Sequence, residues 1–269
     1  MSKLAILSLI PCALFGLEQK PWIGNVWEFE FTPSLTYGRF SKVQDGFPQI
    51  KTPWNTYVLA FDLNVPPTDY WDFGAQAEFA DTPKQSMGLR SLAVQIRHQT
   101  MNDVAYDPIS LTWGFNVRGA SRHSLSDVSC PYHSDVNFEL TAALGKEWDH
   151  GYEWKMRIWG LAAAGMANHG FPWARGLVAL ESNQMETHRL GLFADGYFGF
   201  GDHNFVSIND FHGYASIRHQ SVDVGVSYKY YTDIWGHLSL AYAYRVFARS
   251  YPERESTLFV SYTLPFSMF

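Results

Sequence analysis

Large apolar side chains alternate with small or polar ones along most of this chain, with a period of two. That period sends successive side chains to opposite faces of an extended strand, whereas a helix repeats its apolar positions every three to four residues. Twelve segments follow the pattern: Val26–Phe40, Trp54–Leu63, Trp71–Ala80, Leu89–Met101, Ile109–Arg118, Val136–Trp148, Tyr152–Ala167, Ala174–Ser182, His188–Phe200, Ser221–Tyr231, His237–Ala248 and Ser256–Phe269. In the second, Tyr57, Leu59, Phe61 and Leu63 oppose Thr56, Val58, Ala60 and Asp62. In the tenth, Val222, Val224, Val226, Tyr228 and Tyr230 oppose Asp223, Gly225, Ser227 and Lys229. The eighth is the least regular, with a mixed run at Leu177–Leu180.

The connections alternate too. Those after odd-numbered segments are long: residues 41–53, 81–88, 119–135, 168–173, 201–220 and 249–255. Those after even-numbered segments are mostly short. Long loops on one rim and short turns on the other is the layout of an outer-membrane barrel. The expected fold is therefore all-β: a transmembrane, antiparallel, up-and-down barrel of about twelve strands. An even strand count puts both ends of the barrel on the short-turn, periplasmic rim.

Alternation alone does not say which face meets which solvent, because a soluble barrel turns its apolar face inward and a membrane barrel turns it outward. Composition and the first residues favour the membrane. Aromatic residues make up 17% of the 269, and charged residues 17%, below the roughly 25% of an average soluble domain. Mean hydropathy is nonetheless slightly negative, −0.17, as interleaving requires. Lys3 followed by the apolar run Leu4–Phe15 reads as a secretory signal, too short to span a bilayer as a helix, with Gly16 a small residue before the cut. The expected organisation is a signal peptide at 1–16 and one barrel domain at 17–269. Cys12 would leave with the signal, so Cys130 could form no internal disulfide and would be an inert thiol or an intermolecular partner. A net charge of −6 without a basic cluster excludes a general nucleic-acid binder.

The last thirteen residues, "TLFVSYTLPFSMF", resemble the terminal strand of Gram-negative outer-membrane barrels, which ends in an aromatic residue read during assembly. The resemblance implies an outer-membrane location, surrounding lipid as a partner, and Phe269 as the signal to the barrel-assembly machinery. Phe269 lies one step off the parity of Leu258, Val260, Tyr262, Leu264, Phe266 and Met268.

With the apolar parity against lipid, the other parity lines the lumen. It carries Glu28, Glu30, Asp62, Glu78, Arg97, Arg118, Glu139, Glu153, Lys155, Arg157, Arg189, Asp195, Asp223, Lys229 and Arg245. With Asp72 added, these are nine acids and seven bases, a near balance that favours internal pairing over a selective ring of charge. In the seventh segment Tyr152, Trp154, Met156 and Ile158 are expected to face lipid and Glu153, Lys155 and Arg157 the lumen. The small residues of "GLAAAG" after them leave room for solute or for a loop folded into the barrel.

"RHQSVD", Arg218–Asp223, resembles the His-x-Ser element of outer-membrane phospholipase A and, more loosely, that of lipid A deacylases. The resemblance implies His219 activating Ser221 two residues away on the same strand face. The family motif continues Asn-Gly where this chain has Val222-Asp223, and the shared parity with Asp223 puts the pair in the lumen instead of at the lipid. His123, Asp127, Cys130 and His133 are metal-capable, but their spacing matches no recognised four-ligand set; a solvated, serine-rich loop is expected, with no metal and no cofactor.

Three functions fit this frame. The first is a porin-like channel or small-solute binding barrel with a charged lumen. The second is a plugged structural or surface-interaction barrel acting through its outer loops. The third, an outer-membrane lipid hydrolase, is the least favoured, so a non-enzymatic role is the expectation.

Overall fold

Period-two segments need partners for every backbone N–H and C=O, and in lipid only a closed sheet supplies them all. The computed structural model, which describes residues 17, 19–150, 153–232 and 235–267, closes such a sheet. Its wall is β1 (Glu28–Phe40), β2 (Trp54–Thr68), β3 (Trp71–Thr82), β4 (Gln85–Met101), β5 (Ser110–Ala120), β6 (Val136–His150), β7 (Glu153–Ala167), β8 (Trp173–Gln184), β9 (His188–Gly199), β10 (Gln220–Thr232), β11 (Gly236–Arg249) and β12 (Ser256–Ser267). Each strand pairs antiparallel with its sequence neighbours, and β1 closes the ring on β12 from Glu28↔Ser267 to Arg39↔Ser256. All twelve segments read from the alternation are strands. The signal segment and Phe269 lie outside the described residues.

The apolar parity faces outward. Leu140 is 63% exposed, Val178 59% and Leu192 57%, while Ala179, which follows Val178 on the inward face, is 6% exposed. Leu35, Phe61, Phe73, Val94, Phe115 and Ile158 extend this belt around the wall. A soluble protein rarely exposes contiguous apolar surface beyond a few hundred Å². This belt is what a bilayer covers.

Three features depart from the expected pattern. First, the third connection is not a long loop. β3 and β4 run on to Thr82 and Gln85 and meet in a tight hairpin, with shifts of register at Glu78/Phe79 and Ala80/Thr82. Second, Trp148 pairs with Met156 but Asp149 pairs with Trp154, so Lys155 is the extra residue of a bulge. Beyond a bulge the alternation changes phase. Lys155 is exposed, and Trp154, expected against lipid, lies beneath the guanidinium groups of Arg157 and Arg189 at 4.1 and 4.9 Å. The side chain of Glu153 is outside the described residues. Third, the lumen is not polar throughout. Trp159, Leu161, Leu177, Phe193 and Phe259 form a buried apolar cluster with alanines from β6, β7, β8 and β11. The mixed run at Leu177–Leu180 follows: Leu177 packs into this cluster while Val178 and Leu180 face lipid.

The outer loops are packed together. Lys42–Val43 pairs with Pro252–Glu253, and Gly46–Phe47 with Val206–Ser207. Phe40, Val43, Val128, Val206, Ile208, Phe211, Tyr214, Ile217 and Tyr251 form one buried cluster drawn from four connections and the end of β1. The loop at 121–135, expected to be solvated, contributes to it. Leu125, Asp127, Val128, Cys130 and His133 are each at most 5% exposed. Its short helix, Arg122–Leu125, begins at Ser121, whose hydroxyl accepts from the N–H of Ser124.

Candidate functional site: a divided lumen

The barrel interior is occupied first by the chain's own residues just before β1. Leu17 is buried, and Lys20, Pro21 and Trp22 are held by the wall. Arg97 on β4 donates from Nη1 to the Lys20 carbonyl at 2.7 Å. Gln99 on β4 and Thr112 on β5 donate to the Pro21 carbonyl. Pro21 precedes Trp22 and has no N–H of its own to satisfy. Across the lumen the Lys20 ammonium pairs with Glu181 on β8 at 2.8 Å. The Trp22 indole N–H donates to Asp103 at 2.9 Å, and its ring lies 4.6 Å beneath the Arg157 guanidinium. Asp103 sits in the turn between β4 and β5. Burial opposes its charge, but donors from Ser110, the Glu147 N–H and Trp22 hold its carboxyl below the ordinary carboxylate range. Sequence pattern gave no sign of this segment, which is too short for a period and carries no motif.

The segment divides the lumen. A cavity of about 590 Å³ lies on one side, and a second of about 170 Å³ on the other. Leu17, Gln19 and Phe259 line both and form the partition. The larger cavity holds Glu28, Glu30, Asp62, Arg97, Arg157, Arg189 and Lys229 of the expected lining. The smaller holds Glu78, Arg118, Glu139 and Asp195.

Most of these charges meet a partner. Arg97 pairs with Asp72, both 4% exposed at the side chain. Arg118 binds Gln76, Ser91, the Tyr132 hydroxyl and Glu78 at 2.6 to 3.3 Å. Glu139 accepts from Arg175 and from the Trp173 indole. Arg245 grips Asp223 through two parallel bonds of 2.8 Å and reaches Glu255 with its remaining nitrogen. The paired, planar fork is the strongest form of this interaction. Arg157 pairs with Glu147, and Asp62 accepts from Gln76 at 2.7 Å. One oxygen of Asp195 is buried without a hydrogen-bond partner.

His219 and Ser221 are 0% and 3% exposed, and both are turned away from lipid. Among the described residues no hydrogen bond joins them. The His219 Nε2 instead meets the His133 Nε2 at 3.2 Å, and its Nδ1 has no partner. The geometry does not assemble the implied catalytic pair. Of the loop residues singled out for metal, Asp127 binds Thr82 and Ser129, and Cys130 is a buried free thiol that burial pushes above its ordinary pKa. No group of three or more metal-capable side chains forms among the described residues.

No protein-family model matches the chain, and no curated protein matches it. Solved structures do. An outer-membrane channel from Pseudomonas putida F1 superposes with a TM-score of 0.68 at 11% identity, over 94% of this chain and 100% of that one. The KdgM porin gives 0.54 at 8% identity, over 87% and 99%. The translocator domain of the autotransporter NalP from Neisseria meningitidis gives 0.53 at 9% identity, over 90% and 89%. At such identities the likeness is one of fold, and it is to the closed membrane barrel.

Proposed function

We propose that this chain is an outer-membrane channel for small solutes, closed in the described conformation by its own N-terminal segment and by its packed outer loops. The observation that carries the reading is the polar cavity of about 590 Å³ inside a wall whose outer face is apolar. A barrel built only as a scaffold has no need of such a volume, and small-solute sites typically occupy about 300–1,000 Å³. The proposed location, the outer membrane, rests on the apolar belt and on the likeness to barrels of that membrane. The fold itself hosts channels and other functions alike, so the lumen and not the wall supports the choice.

The purified chain, reconstituted in planar bilayers, is expected to give discrete conductance steps that lengthen when the inner segment is displaced. A barrel that stays silent both before and after displacement would overturn the channel reading. That outcome would favour the second reading, a plugged barrel acting through its surface, whose support is the interlocked outer cluster of Val43, Val206 and Tyr214.

A further inference from the structure

The register of β11, β12, β1 and β2 stacks three rows of side chains across the outward face of the barrel's closing seam. Leu240, Val260, Leu35 and Leu59 stand side by side in the lowest row. Two residues nearer the outer rim come Tyr242, Leu258, Tyr37 and Tyr57. Two further on come Tyr244, Ser256, Arg39 and Asn55. Side chains two apart share a strand face, and the exposure of Leu35, Tyr57 and Tyr244 marks this face as the one that meets lipid. The rows therefore run from apolar, through a tyrosine girdle, to a polar edge centred on Arg39.

The polar edge is oriented. The Tyr37 hydroxyl donates to Asn55 Oδ1 at 3.0 Å, and the Tyr242 hydroxyl donates to Ser256 Oγ at 3.4 Å. The acceptors on either side of Arg39 are thus engaged from the tyrosine row. What Asn55 and Ser256 still offer is an amide NH2 and a hydroxyl proton. Both are direct register neighbours of Arg39, about 5 Å to either side. Arg39 is itself exposed and, among the described residues, forms no ion pair. Glu253 and Glu255, just before β12, are held by Lys42 and Arg245. Asp81, opposite Tyr57 on β3, stands two strands from Arg39. Three donors in a row without an acid between them form a site for an anion.

We infer that this face binds a lipid of the outer leaflet through a phosphomonoester headgroup, with the phosphate on Arg39, Asn55 and Ser256 and an acyl chain along Leu35 and Val260. The height of the site on the wall selects a lipid. Tyrosines gather at the level of the headgroups, and the leucine row beneath them lies where acyl chains run. The arginine fork matches two phosphate oxygens, and the flanking donors serve the third. A phosphomonoester bears a charge of about −1.5 to −2, which suits an arginine that has no carboxylate of its own. A phosphodiester under a choline brings its own cation and presents fewer free oxygens. A free phosphate meets the same donors and gains nothing from the leucine row. The inference concerns the outer face of the wall and is independent of what the lumen passes.

The test uses the full barrel in a neutral detergent, incubated with dioleoylphosphatidic acid or with dioleoylphosphatidylcholine. Native mass spectrometry counts the lipids retained. One phosphatidic acid per barrel is expected to bind about tenfold tighter than phosphatidylcholine, the value of one charge-assisted hydrogen bond. Arg39→Gln should remove that preference. Asn55→Asp keeps the acceptor for Tyr37, sets a negative charge beside Arg39 and should remove it too. This second variant serves if Arg39→Gln fails to fold, which boiling-dependent gel mobility reports. Arg249→Gln takes an equal charge from the end of β11, opposite Gln220, and should leave the preference intact. Equal binding of the two lipids overturns the inference, and so does a preference that survives Arg39→Gln in the folded barrel. A preference that falls as far in Arg249→Gln is charge attraction without a site and also overturns it. Sodium phosphate that displaces phosphatidic acid mole for mole marks a site for free anions and overturns the assignment to lipid.

Discussion

The imidazoles of His133 and His219 meet Nε2 to Nε2 at 3.2 Å inside the packed outer loops. Their tautomers follow from the neighbours. The Tyr197 hydroxyl has one proton, which it donates to the Pro131 carbonyl at 3.1 Å, so it receives from His133 Nδ1 at 3.0 Å. His133 Nε2 is then a bare acceptor, and His219 Nε2 must donate to it. That leaves a lone pair on His219 Nδ1, buried with no donor to meet it. The Trp173 ring stacks on His133, and Tyr197, Tyr214 and Tyr251 surround His219. The charge of Arg245 on β11 acts on His219 as well, and it disfavours a proton there.

Acid should therefore loosen the outer cap. Burial, with Arg245 adding to it, pushes the His219 pKa from 6.5 down to about 3, and burial lowers His133 as well. A histidine freed into water binds its proton near 6.5, so the opened cap holds more protons than the closed one. The contribution to closure is complete above about pH 6.5 and is lost as pH falls toward 3. At pH 5, His219 alone weakens closure by about 2 kcal/mol. Hydrogen exchange of the Ile217 amide, bonded to the Tyr214 carbonyl, reports it. The double change His133→Phe with His219→Phe should flatten the dependence of protection on pH. Unchanged acid loosening in that variant would refute the histidine origin.

How much of this was legible beforehand follows the reach of the period-two signal. Every wall strand was readable, because lipid on one side and a lumen on the other leave a mark at each step. What the alternation missed lies where that rule is interrupted. Lys155 breaks the phase and turns Trp154 inward, although the residues themselves alternate without a flaw. Phe193 and Leu177 sit on the lumen parity yet are apolar, because they pack against each other's strands and not against water. Lys20–Trp22 has too few residues for a period, and its place depends on carbonyls that no side-chain pattern records. The loop at 121–135 looked solvated by composition, but its serines and Asp127 bond one another inside the cap.

Arg97 ties wall to segment, so its loss should be costly. It is buried with Asp72 and also donates to the Lys20 carbonyl. Arg97→Met leaves a buried carboxylate unpaired and should destabilise the barrel by about 3–5 kcal/mol. Adding Asp72→Asn removes the orphaned charge and should recover part of that loss. Urea midpoints of the two variants in micelles measure the difference. Equal midpoints would mean that Asp72 is not the source of the cost.

Gly165 closes the small-residue run of β7, and the Trp173 indole lies flat on it. A Cβ added there would fall 2.1 Å from the Trp173 Cε2. The indole bridges to the cap, stacking on His133 at 4.1 Å and donating to Glu139. Gly165→Val should expel Trp173 and destabilise the outer half by about 1–3 kcal/mol. Faster proteolysis within residues 121–135 and 200–219 is the expected sign. Unaltered cleavage there would show that the cap does not lean on the indole.

Gly145 on β6 gives the matching lever at the inner segment. A Cβ at this position would lie 2.6 Å from the Pro21 ring and 2.8 Å from the Trp22 ring. The wall backbone cannot retreat without losing its pairing with Ser110 on β5 and Trp159 on β7. The segment is the part that yields, since side-chain contacts and not a sheet ladder hold it, among them the Lys20–Glu181 pair, the bonds to the Lys20 and Pro21 carbonyls, the Trp22–Asp103 bond and the Arg157 guanidinium over the Trp22 ring. Gly145→Val should therefore open the lumen with the barrel intact. Longer or larger conductance steps are expected, together with protease access near Lys20 and unchanged boiling-dependent mobility. Glu181→Gln, which removes one tether without adding bulk, should move conductance the same way by a smaller amount. If both variants free the segment to protease but conduct no more than the parent, the segment is not what closes the lumen.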